Sequence, residues 1–212
     1  MADELVFYTN PMSRGRTVRW MLEEVGQPYR TELMQFDTLK SPAYLAVNPM
    51  GKIPAIVHGD VVVTECAAIC AYLADAFPGA KLAPPGDDPA RGAYYRWMFF
   101  TAGPLEQAIV NKSLGFAAPK EREVMVGYGN LDLVLDTVEK AVTGRDYLAG
   151  DAFSTADLLL GAQLGWGMMF GTIEKRPAFE AYAGRITSRP AAVRAQKIDD
   201  DLIAAAKGNP SP

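Results

Sequence analysis

The sequence predicts an α/β unit followed by an all-α unit. Three observations predict this. Apolar residues in about the first 80 positions follow strand and helix periods in the order β-α-β, then β-β-α. A stretch from Pro78 to Pro89 holds four prolines, two glycines and two aspartates, the composition of a linker. No segment beyond it carries a strand pattern. The expected division is an α/β domain over 1–78, a linker over 79–89, a helical domain over 90–205 and a tail over 206–212.

Leu5 to Tyr8 is a short apolar strand, and Thr9-Asn10-Pro11-Met12-Ser13 is a polar loop. A helix follows from about Arg14 to Val25. Val18, Met21, Leu22 and Val25 give it an i, i+3, i+4, i+7 face, and Gly26 with Pro28 stops it. Tyr29 to Leu33 reads as a second strand, and 35–48 as a loop with one helical turn after Pro42. Ala55–Val57 and Val61–Val63 make a hairpin around His58-Gly59-Asp60. The next helix carries Ile69, Tyr72, Leu73, Ala76 and Phe77 on one face and ends at Pro78-Gly79.

In the second half, Tyr94 to Phe116 reads as a long helix rich in large apolar groups. Val124, Tyr128, Leu131, Leu135, Val138 and Val142 recur at spacings of 4, 3, 4, 3 and 4, which predicts one amphipathic helix ended by Gly144. Ser154 and Asp157 form a capping-box variant, with Phe153 and Leu158 placed as a hydrophobic staple. Leu158 to Phe170 is interrupted by Gln163 and glycines and falls short of the ~20 residues that span a bilayer, so it reads as a buried helix. Gly161 and Gly165 predict close packing of that helix on a neighbour.

The composition is that of an ordinary globular chain, 49% hydrophobic and 22% charged. A net charge of −4 argues against nucleic acid as a partner. Met1-Ala2-Asp3-Glu4 has no basic, apolar signal pattern, and the two cysteines, Cys66 and Cys70, form neither a disulfide framework nor a spaced metal set. A reducing cytoplasm without membrane attachment is the expectation. His58 is the only histidine and falls in the hairpin turn, so no metal site is expected. Neither phosphate-binding glycine motif occurs.

The most informative stretch is Asn48-Pro49-Met50-Gly51-Lys52-Ile53-Pro54, with Glu65-Cys66 opening the helix after the hairpin. A proline leading into a strand cannot donate a ladder hydrogen bond. Either it is an ordinary turn proline, or a cis Ile53–Pro54 bond turns the Ile53 backbone outward at an edge that can pair with an extended peptide.

This stretch resembles the thioredoxin-like half of glutathione transferases, in which N-P-x-G-x-[VI]-P precedes a Glu-Ser pair at a helix start. The Ser154–Asp157 box matches the same family, and the resemblance runs from about Leu5 to Ile198. It implies a thioredoxin-like N-terminal domain and an all-helical C-terminal domain, arranged as a bacterial-type member with a serine-type loop. The implied activity is attack of the glutathione thiolate on hydrophobic electrophiles, in detoxification and usually by a homodimer. Glutathione is then a co-substrate and no cofactor is expected.

A thiol is only a few per cent ionised at neutral pH, so the chemistry needs a donor that favours the thiolate. The resemblance implies Ser13, in the loop before the first helix, as that donor. Tyr8 is the rival, because other classes use a tyrosine at the end of the first strand. Each has a structural alternative: Ser13 as a helix cap and Tyr8 as a core residue. The absence of cysteine between Thr9 and Arg16 argues against thiol-transferase chemistry. The resemblance further sets Ile53 and Pro54 against the cysteinyl part of glutathione, and Lys52, with Lys40 second, near its glycine carboxylate. Glu65 and Cys66 fall on the pair that holds the γ-glutamyl end, with Cys66 departing from the family's serine. The two lysines have the alternative of solvated surface residues, and Glu65 that of a first-turn acid favouring the helix dipole. Met12, Phe36, Phe100 and Met169 are expected to line an apolar substrate pocket. A non-catalytic binding protein on the same scaffold is the competing class.

Overall fold

A computed structural model describes residues 3–208. Their contacts form two compact units, one of residues 3–81 with 189–208 and one of residues 82–188. The last helix therefore groups with the N-terminal residues, unlike in the linear division expected from the sequence.

The first unit is built on a four-stranded sheet of order β2-β1-β3-β4. The strands are β1 (Leu5–Thr9), β2 (Arg30–Leu33), β3 (Ala55–His58) and β4 (Val61–Thr64). β1 runs parallel to β2, as a crossover helix requires, and antiparallel to β3, with Tyr8 opposite Ala55. β3 and β4 pair antiparallel across the two-residue turn Gly59-Asp60. The crossover helix α1 (Gly15–Val25) buries Val18, Met21, Leu22 and Val25, the face expected from their spacing. It ends at Gly26, whose left-handed φ of 70° lets its N–H close on Leu22 O at 2.9 Å. The short α2 (Pro42–Leu45) is capped by Ser41.

Helix α3 (Cys66–Ala76) covers the sheet with Ile69, Cys70, Leu73 and Ala74 buried. The expected face is thus turned. Ala76 is exposed, and Tyr72 and Phe77 stay half-buried because they pack around His58, whose Nδ1 lies 2.9 Å from the Tyr72 hydroxyl.

Helix α9 (Pro190–Gly208) lies against α1. A buried ion pair joins them, with Arg19 Nε donating to Asp199 Oδ1 at 2.7 Å and both side chains nearly inaccessible. Arg189 adds a two-pronged contact to Glu24 at 2.6 and 2.8 Å. The expected tail from residue 206 instead begins inside α9, because Ala204-Ala205-Ala206-Lys207 are strong helix formers. Residues 209–212 of that tail lie outside the described residues.

The second unit is helical throughout its regular structure: α4 (Ala90–Phe100), α5 (Glu106–Ser113), α6 (Leu131–Val142), α7 (Thr155–Met169) and α8 (Pro177–Thr187). The long helix expected over 94–116 is interrupted by a π-helical turn at Thr101–Leu105, where Pro104 removes a backbone donor. The helix expected from Val124 begins only at Leu131. Gly129 has a φ of 67°, Asn130 caps the Leu133 N–H at 2.9 Å, and Val124 is 92% exposed.

Helix α7 is apolar nearly all round and buried over most of its length, as expected. Gly161 is where it meets α8, since a Cβ there would stand 2.6 Å from Ile186 Cγ2. Its N-terminus carries the expected capping box. The Asp157 carboxylate accepts from Ser154 N and Oγ, Leu148 N and the Tyr182 hydroxyl, all between 2.6 and 2.8 Å. Burial and the adjacent carboxylate hold the Tyr182 phenol far above its ordinary pKa. Among the described residues no helix is long and apolar enough to cross a membrane.

Candidate active site

The expected residues of the first unit gather around three backbone features. The first is the connection from β1 to α1. Thr9 is fully buried, and a Cβ on Gly15 would stand 1.9 Å from Thr9 Oγ1. Only glycine lets the start of α1 close on the end of the strand. Asn10 organises the loop between them: its Oδ1 accepts from Met12 N at 2.9 Å and its Nδ2 donates to Met34 O at 2.9 Å. Ser13 completes the turn. Its hydroxyl donates to Asn10 O at 2.7 Å and accepts from Gly15 N at 3.0 Å. Ser13 therefore lies just before α1, whose N-cap position is held by Arg14, and its hydroxyl meets the Gly15 N–H from outside the helix. The O–H is engaged by a carbonyl, so it must turn before it can serve a sulfur. Tyr8, one residue before the strand's end, is half-buried with its ring centroid 5.7 Å from that of Tyr44.

The second feature is the segment before β3. The Ile53–Pro54 peptide bond is cis, one of the two alternatives left open by the sequence. Pro54 is buried and Ile53 half-buried, and Ile53 lies beyond Ala55, the last residue of the ladder with β1. Two residues that carried no role in the sequence reading hold this segment. The Tyr44 hydroxyl and Asn48 Nδ2 both donate to Lys52 O at 2.7 Å. Burial pushes the Tyr44 phenol up to about 12, so it remains a donor at any physiological pH. The signal for Asn48 was its place before Pro49, where an amide side chain closes a turn on the backbone; its Oδ1 accepts from Met50 N at 3.0 Å. Tyr44 had no local signal. Lys52 is exposed, and exposed Lys40 donates to Met50 O at 2.7 Å, which joins both lysines to one turn.

The third feature is the turn into α3. Glu65 adopts φ 69° and ψ 119°, a left-handed value for a residue with a Cβ, of a kind that costs about 1–3 kcal/mol. It precedes Cys66 at the helix start, where the first backbone N–H groups and the positive end of the helix dipole favour an anion. Cys66 is half-buried, and its Sγ lies 3.9 Å from Arg14 O. That contact brings the start of α3 to the residue after Ser13.

The four expected apolar residues divide between the units. Met12 and Phe36 are 70% and 57% exposed on the first. On the second, Phe100 is half-buried beside Trp97, and Met169 is exposed at the end of α7. Among the described residues no group of three or more His, Cys, Asp or Glu side chains could hold a metal ion.

Comparison with known proteins adds independent findings. The family descriptions "Glutathione S-transferase, N-terminal domain" and "Glutathione S-transferase, C-terminal domain" match residues 12–76 and 95–190. Glutathione S-transferase 3 of Zea mays is 33% identical over 168 residues, which cover 72% of this chain and 73% of the relative. A glutathione S-transferase of Xanthomonas campestris pv. campestris is 28% identical over 170 residues, covering 77% of this chain and 83% of the relative. Among solved structures, a sphingomonad glutathione S-transferase complexed with glutathione is 30% identical, with a TM-score of 0.75 over 92% of this chain and 98% of that one. These matches do not favour the non-catalytic alternative. They bear out the expected family, fold and transferase class: the chain belongs to the glutathione S-transferase family.

Proposed function

We propose that the chain joins the glutathione thiolate to small hydrophobic electrophiles, with the Ser13 hydroxyl stabilising the thiolate. The observation that carries this reading is the meeting of two helix starts, Ser13–Gly15 of α1 and Glu65–Cys66 of α3, at the 3.9 Å contact between Cys66 and Arg14. Positive helix ends suit a ligand with an ionisable thiol and a terminal carboxylate. The Ile53 backbone beside cis Pro54 suits main-chain pairing with the middle of an extended tripeptide. Lys52 takes the glycine carboxylate in this reading. Lys40, already engaged by Met50 O, is the weaker second. Glu65 and Cys66 receive the γ-glutamyl end. Tyr8 remains the rival to Ser13.

Exposed Met12 and Phe36 are the apolar groups assigned to the electrophile. The electrophile gains from proximity to the thiolate, with no acid–base group required. A cytoplasmic, detoxifying homodimer belongs to the same proposal. Exposed Tyr95 and Phe99, four residues apart on α4, favour a second copy of the chain as a partner.

The test is calorimetric titration of glutathione across pH, with proton release recorded, on the wild type and on Ser13→Ala. A hydrogen bond to the thiolate is worth about 1.5–3 kcal/mol, or roughly one to two pKa units. The wild type should release a proton on binding near neutral pH. Ser13→Ala should retain binding, lose that release and turn over about 10–100-fold more slowly. Unchanged turnover in Ser13→Ala, with loss in Tyr8→Phe, would transfer the role to Tyr8.

A further inference from the structure

Thr9 closes β1 with its side chain fully buried, and its Oγ1 finds no hydrogen-bond partner among the described residues. A buried hydroxyl without a partner gives up its hydration and gains nothing in return, and valine would suit the strand position without that cost. A polar atom left in this state calls for a function. The oxygen faces the start of α1. A Cβ on Gly15 would stand 1.9 Å from Thr9 Oγ1 and 3.1 Å from Ser13 Oγ, so the two hydroxyls border one gap that only glycine leaves open. Of the two, half-buried Ser13 is the one open to solvent.

The hydrogen bonds of Ser13 leave a place for this second hydroxyl. Ser13 Oγ donates to Asn10 O at 2.7 Å and accepts from Gly15 N at 3.0 Å. A serine oxygen has two lone pairs, so one is unused. Asn10 O also accepts from Ser13 N at 3.1 Å. The carbonyl therefore keeps a donor when the Ser13 O–H turns away from it toward a sulfur.

We propose that Thr9 is a positioning residue for the thiolate donor: its hydroxyl donates to Ser13 Oγ once the Ser13 O–H has turned to the glutathione sulfur. This rests on the reading that Ser13 stabilises the thiolate. The turn of Ser13 brings the two oxygens together across the gap at Gly15, and the chain of donors then runs from Thr9 to Ser13 to the sulfur. Each O–H polarises the next, so the bond from Ser13 to the sulfur strengthens. No proton passes along the chain. The thiol proton leaves to solvent, and both hydroxyls keep theirs. Thr9 breaks no bond in making this one, so its hydroxyl disfavours the resting arrangement and favours the thiolate-bound one.

The test follows glutathione binding by calorimetry across pH, with proton release recorded, together with kcat and KM for a chlorodinitrobenzene electrophile. Thr9→Ala should bind glutathione with KM unchanged, while the bound thiol ionises about half to one pH unit higher and kcat near neutral pH falls about 3–10-fold. Thr9→Ser keeps the hydroxyl and should restore both. In a Ser13→Ala background Thr9→Ala should cost nothing further, because the hydroxyl it supports is already gone. Thermal unfolding checks that each variant folds, and Thr9→Val, which keeps the branched shape, replaces Thr9→Ala if the latter does not. A wild-type thiol pKa and kcat in the folded hydroxyl-free variant would overturn the proposal. Failure of Thr9→Ser to restore them, or an equal loss with and without Ser13, would overturn it as well. If Ser13→Ala by itself leaves the thiol ionisation unchanged, the functional reading fails, and the role of Thr9 fails with it.

Discussion

Cutting the buried Arg19–Asp199 pair should be among the most damaging single changes in the first unit. In Asp199→Leu the guanidinium keeps the Tyr29 and Thr31 hydroxyls at 3.2 and 3.3 Å and the face of Phe7 at 5.2 Å. It loses its one buried anion, at 2.7 Å, from an environment in which both side chains are 2% exposed or less. Removing one partner of such a pair costs about 3–5 kcal/mol, because the remaining charge stays buried and uncompensated. The retained hydroxyls and ring put the expected loss near the lower end, about 3 kcal/mol, or roughly 6–12 °C in Tm for a chain of this size. The double variant Arg19→Met/Asp199→Leu removes both charges and should return to within about 1 kcal/mol of the wild type. Urea unfolding of the wild type, both single variants and the double variant completes the cycle. A loss below about 1 kcal/mol in Asp199→Leu, or additive losses in the double variant, would refute the reasoning.

Two further outcomes are expected. Gly15→Ala should destabilise by about 1–3 kcal/mol in thermal unfolding, because its Cβ meets Thr9 Oγ1, and Thr9→Ala should recover part of the loss. Asp157→Ala leaves two buried backbone N–H groups and the Tyr182 hydroxyl without their acceptor. At about 1–3 kcal/mol each, it should cost at least 3 kcal/mol by urea titration, whereas Asp157→Asn should retain part of the network.

Local signals served well where the physics is local. The α1 face and its Gly26 stop, the Ser154–Asp157 cap and the α7 helix depend on residues within one or two turns. They failed where a local alternative competed. The spacing from Val124 to Val142 continued a helical period across Gly127 and Gly129, but backbone freedom at Gly129 and capping by Asn130 set the start at Leu131. In the candidate site, Ser13, Ile53–Pro54 and Glu65–Cys66 were legible because each lies at a strand end or helix start that the sequence marks. Tyr44 was not, since its role depends on reaching Lys52 O across a loop.

The sequence by itself determined the order of strands and helices, the caps and the family, because periodicity, turn residues and short motifs are carried by neighbours in the chain. Tertiary structure alone decided that α9 packs on α1 through residues 180 positions apart. It also decided that Cys66 reaches Arg14 and that Gly15 must stay bare beneath Thr9. Each of these depends on the distance between atoms remote in sequence, and that distance exists only once the sheet and helices have packed.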